Sequence, residues 1–131
     1  MQLIRNTPLL LFVFLAYNGV VLAGGNLQAV LLQTTLLSGA AWPFSVADLL
    51  LTLALVALAG EIIKSTRSSN ASIIDHALSM LVFVAFLLEF IAWGPAGTST
   101  FFLMTIMSFI DVMAGFTVTI SSARRDVGYN T

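Results

Sequence analysis

Two carboxylates stand deep inside runs of apolar residues, Glu89 within 72–93 and Asp111 within 101–123. An ionised carboxylate is expensive to hold in hydrocarbon. Such a residue faces protein or a wet cavity, and it marks either proton or cation handling or a hydrogen bond between helices. At 1.5 Å per residue, Asp111 lies about 15 Å into its run and Glu89 about 7 Å short of Trp93. On a helical wheel Ser108, Asp111, Gly115, Thr119 and Ser122 fall within an arc of about 80°. This small and polar stripe, on a segment otherwise rich in Phe, Met, Ile and Val, reads as an intimate helix interface or as the wall of a polar path. No Lys or Arg sits at comparable depth. The expected state of Asp111 is therefore protonated, hydrogen-bonded to a neighbouring helix. A carboxylate that carries ions is the alternative.

The remaining ionisable residues are weaker candidates. Asp75 and Glu89, fourteen apart, share a helix face with Ser79 and Phe86. The single His76 follows Asp75, at the expected level of the headgroups, where a capping or interfacial role competes with proton transfer. Glu61 and Lys64, three apart, can pair at a helix end. Asp48 and Asp75 each stand three residues after a Ser, the pattern of a capping box, so both are expected to serve helix starts. The chain has no Cys and one His, which excludes thiolate metal sites and disulfides. It contains no HExxH, no glycine-rich phosphate loop and no Ser-His-Asp order, so no enzyme activity, metal or cofactor is expected.

The elements that must position these residues are membrane helices. Hydrophobic residues make up 59% of the 131 and charged residues only 8%, against roughly 25% charged in soluble domains. The expected fold is an all-α polytopic membrane protein, a single transmembrane domain over 1–131 with spans at about 8–23, 45–63, 73–93 and 101–123. Gly24-Gly25-Asn26 breaks the chain after the first span. Segment 27–41 is apolar but short and contains Gln28, Gln33, Thr34 and Thr35. It is expected to be a re-entrant or interfacial piece, with a fifth span as the alternative. Trp42-Pro43 marks an interface and a turn, and 94–100 is a turn rich in Gly, Ser and Thr. The first run, with Arg5 before it and Val21-Leu22-Ala23 after it, also has the layout of a secretory signal. The reading adopted is a retained span.

With four spans, the five basic residues Arg5, Lys64, Arg67, Arg124 and Arg125 all fall on one side. By the positive-inside rule both termini are then cytoplasmic, and the bacterial inner membrane is the expected location. The bases form no nucleic-acid surface. The expected partners are the lipid bilayer and other membrane subunits or further copies of the chain. The expected function is a small accessory or structural subunit that binds partners through the polar and small faces of its helices. The alternative is an oligomeric channel, a holin-like pore-former, or a proton or cation carrier that uses the intramembrane carboxylates.

Overall fold

The computed structural model describes residues 7–67 and 71–129. Thr119 and Arg124–Arg125 have described backbone only, and Arg5 lies outside the described residues. The order is α1 (Leu9–Leu22), β1 (Val30–Thr35), β2 (Ala41–Ser45), α2 (Val46–Arg67), α3 (Ala71–Ala92), a 3₁₀ turn (Gly94–Ala96) and α4 (Ser99–Tyr129). Three stretches, Val46–Thr66, Ile73–Ala92 and Ser99–Thr117, are long and apolar enough to cross a bilayer, so the chain is an integral membrane protein. The first helix lies within one residue of the expected 8–23 at each end but is not among these three. With 14 residues it spans about 21 Å, short of the roughly 30 Å hydrocarbon layer.

Within this all-helical membrane architecture, segment 27–41 is not helical: it contributes β1 to an antiparallel hairpin between α1 and α2. A short apolar run cannot be told from a helix by periodicity alone. Here the local chemistry favours strand. Val30, Thr34, Thr35, Trp42 and Phe44 are β-branched or aromatic, and Pro43 cannot donate a helical hydrogen bond. The turn is set by Gly39 at φ +88°. Its N–H donates to the Leu36 carbonyl at 2.9 Å, and the Leu36 N–H donates to the Ala40 carbonyl at 2.9 Å. Upstream, Gly24 at φ +78° ends α1 in a Schellman motif, with Gly24 N–H on Val21 O (3.1 Å) and Gly25 N–H on Val20 O (2.8 Å). The hairpin then feeds α2 through a capping box. The Ser45 N–H donates to Asp48 Oδ2 at 3.0 Å and the Asp48 N–H donates to Ser45 Oγ at 3.2 Å.

The four helices form one bundle. α4 packs along both α2 and α3, while α1 lies mainly on α2 and also touches α3. The chain reverses between α3 and α4, so these two helices run antiparallel with Phe83 against Phe109 (5.5 Å between ring centroids) and Phe90 against Phe102 (5.6 Å). The end of the bundle that holds the 94–98 turn has an aromatic core. Phe14, Tyr17, Phe86 and Phe101 stack there at 4.9–5.3 Å between neighbouring rings. Tyr17 is fully buried. Its hydroxyl donates to the Pro95 carbonyl at 2.9 Å and lies 2.8 Å from Thr98 Oγ1, which in turn accepts from the Phe101 N–H at 3.1 Å. Tyr17 thereby ties α1 to the cap of α4. The substitution Tyr17→Phe keeps the rings stacked and removes both hydrogen bonds of the Tyr17 hydroxyl, to the Pro95 carbonyl and to Thr98 Oγ1. It should lower stability by about 2 kcal/mol, read as a reduced melting temperature in mild detergent with unchanged helix content.

Candidate functional site

The opposite end of the bundle is polar inside. Asp111 on α4, Ser79 on α3 and Glu61 on α2 are each only 5% exposed, and Ser108 is 1% exposed. The antiparallel register of α3 and α4 continues from the aromatic rungs into this region. There the Ser79 hydroxyl hydrogen-bonds to the Asp111 carboxyl. One helical turn further along, the His76 ring lies against Gly115, where an added Cβ would stand 2.9 Å from Nδ1. The ring also meets Phe116 at 5.9 Å. Small residues on α4 thus make room for polar side chains of α3.

Glu61 joins this layer from α2. Its Oε1 accepts a hydrogen bond from the Leu9 N–H at the start of α1 and lies 3.5 Å from Lys64 Nζ. Lys64 Nζ also donates to the Thr7 carbonyl at 3.2 Å. A helix start leaves N–H groups without intrahelical partners and carries partial positive charge, so a carboxylate supplied from another helix satisfies both. Pro8, which itself offers no side-chain cap, leaves that task to Glu61. Asp111 lies near enough to both Glu61 and Lys64 to interact with them electrostatically. One ammonium faces two carboxylates. If both are ionised the group is one positive charge short, a deficit that a proton or a cation would make good.

The expected site residues therefore separate. Asp111 and Ser108 face inward as the helical wheel required, and Gly115 lines the same face. The expectation that Asp111 lacks a basic neighbour is corrected, because α2 brings Lys64 alongside the last helix. The α4 stripe reads as a face for a neighbouring helix. Its described members are covered by α2 and α3 of the same chain, which flank α4 on both sides. Glu61 does pair with Lys64 near the end of α2, and its buried carboxylate also caps the start of α1. Asp75 is not in the first turn of α3, which starts at Ala71, so the helix-start role does not apply. Its Oδ1 is buried with no hydrogen-bond partner. His76 Nδ1 is likewise buried without a hydrogen-bond partner. Glu89 is half-buried near the other end, where Asn18 hydrogen-bonds to it and its Oε2 has no partner. The Thr119 side chain lies outside the described residues.

Sequence reasoning missed Lys64 and Thr7 as members of this centre, and Tyr17 as the tie at the other end. Pro8 at a helix start without a capping side chain was the one available signal that a distant residue must cap α1. No known protein family matches the chain, and no curated protein or solved structure shows significant similarity to it. Among the described residues no group of three or more His, Asp or Glu side chains is arranged to hold a metal ion.

Two substitutions probe the centre. Glu61→Leu strands the Leu9 N–H and Lys64 and should cost about 3 kcal/mol, near the lower end for a broken buried pair because Lys64 is 28% exposed. Glu61→Gln keeps an acceptor and should cost about 1 kcal/mol. The ranking is read from thermal unfolding in detergent. Gly115→Val should destabilise by about 2 kcal/mol through overpacking against His76. The same change made in a His76→Ala background should be nearly neutral, so the double-mutant cycle isolates this contact.

Proposed function

We propose that the protein is a small accessory or structural subunit of a larger membrane complex, without enzymatic activity of its own. One observation carries this reading: the polar side chains of the helices turn inward, while the outward faces are long and apolar. Leu55, Val56, Leu81, Leu88, Ile91 and Phe109 are all exposed on them. Such faces suit lipid and the helices of neighbouring subunits, where packing needs no polar contact. The same arrangement argues against a pore lined by this chain's own acids, because Asp111 is covered within one copy. On this reading the bacterial inner membrane is the location. The Lys64 end of the bundle, where Thr7 and the far half of α4 also lie, faces the cytoplasm, in keeping with the positive-inside rule. Purification from native membranes in mild detergent should recover a larger membrane protein in fixed stoichiometry. Recovery of this chain alone would overturn the reading.

A second reading, a proton or cation carrier, is favoured by a different observation. The carboxylates of Glu61 and Asp111 share one ammonium, and the buried Asp75 Oδ1 and His76 Nδ1 lack partners on the adjoining helix. Asp111→Asn preserves the hydrogen bond to Ser79 and removes the charge. In proteoliposomes, a carrier that uses Asp111 should lose its flux in this variant, whereas an accessory subunit should show no flux in either form and keep its co-purifying partner.

A further inference from the structure

The hairpin has one blocked edge and one open edge. Residues Leu36 and Ala40 are hydrogen-bonded to each other at the turn. In an antiparallel pair, hydrogen-bonded and non-hydrogen-bonded positions alternate. The register Thr35↔Ala41, Thr34↔Trp42 and Gln33↔Pro43 therefore turns the backbone groups of Thr34 and Trp42 inward, and those of Gln33, Thr35, Ala41 and Pro43 outward. On β2, the outward position at Pro43 has no N–H to give, so that edge cannot accept a further strand in register. On β1, Gln33 and Thr35 offer their N–H and C=O groups outward with no Pro and no charge in the strand and, among the described residues, no element that covers it. All six residues of β1 are exposed. The bulge at Leu31 interrupts the edge only at its beginning.

The surroundings make this edge a difficulty. Leu31, Leu32, Leu36 and Leu37 are exposed on the hairpin, and no Asp, Glu, Lys or Arg occurs from 24 to 44. A two-stranded hairpin apolar on both faces is marginal in water. Open backbone edges do not persist in hydrocarbon either, where each unpaired group costs several kcal/mol. Both difficulties are met when another strand covers the edge.

We propose that the open edge of β1 pairs antiparallel with the same edge of a second copy of this chain. A twofold axis at Thr34 sets Gln33 of one copy opposite Thr35 of the other and uses every free group of the unbulged edge, about four hydrogen bonds in all. The lack of charge removes repulsion between like strands, and the four-stranded sheet so formed ends in Pro43 on both sides. The contact closes as a dimer and cannot propagate. The pairing is independent of whether the outer helix faces bind another subunit.

The chain has no Cys, so single cysteines report the pairing cleanly. At the twofold, a non-hydrogen-bonded pair brings the two position-34 Cα atoms to about 4.5 Å, within the span of a disulfide. The full-length protein carrying Thr34→Cys, reconstituted in lipid bilayers and oxidised, should run mainly as a covalent dimer. Ser38→Cys, on the exposed turn of the same hairpin, should remain monomeric. Adding Thr35→Pro to Thr34→Cys removes one outward N–H and none that the hairpin uses for itself, so the dimer should be lost with helix content unchanged. A Thr34→Cys yield no greater than that of Ser38→Cys, or a dimer that survives Thr35→Pro, would overturn the proposal.

Discussion

The start of α1 lies beside Glu61, inside the Val46–Thr66 span, and its free N–H groups must be satisfied there. Water at the membrane surface would ordinarily do this. Here a buried side chain does so, and Glu61 of α2 reaches back across 52 positions to the Leu9 N–H. The consequences spread from that contact. A buried carboxylate needs a counter-charge, which Lys64 supplies from one turn further along α2 while also holding the Thr7 carbonyl. Glu61 and Lys64 together set the field in which Asp111 sits, so the last helix is charge-coupled to the first through the second.

The bundle is divided along its length by the register of α3 against α4. Toward the 94–98 turn the rungs are aromatic, and toward the Lys64 end they are His76 with Gly115 and Ser79 with Asp111. The aromatic half gains from burial and ring geometry and is tied by the Tyr17 hydroxyl, and it too holds one buried atom without a partner, Glu89 Oε2. The polar half gains less from burial, and it holds buried atoms on Asp75 and His76 that have no partner.

The hairpin is a different solution to a short first helix. With 14 residues α1 leaves the chain at the far surface needing a connection to α2, and a helical continuation is stopped by the Schellman motif at Gly24. Strands form instead, anchored to the start of α2 by the Val46 N–H on the Ala29 carbonyl (2.9 Å) and by the Ser45–Asp48 box. Pro43, readable from sequence as a turn residue, lies within β2, at the kind of outward-facing edge position where a strand tolerates proline.

Much of the membrane character was legible in the sequence, because hydropathy and length are properties of single segments. The long runs, the Gly24 break, the Ser45–Asp48 box, the inward face of Asp111 and the Glu61–Lys64 pair all depend on residues within a few turns of one another. Segment 27–41 was not legible, since its apolar residues fit a helix and a strand alike until Gly39, Pro43 and a pairing strand are taken together. The partners of Asp111 and Glu61 were not legible either. Ser79 and Leu9 lie 32 and 52 positions away from them. Only the packing of α4 between α2 and α3, and the register it imposes, brings Asp111, a carboxylate that sequence leaves alone in an apolar run, to a hydroxyl, a lysine and a second carboxylate.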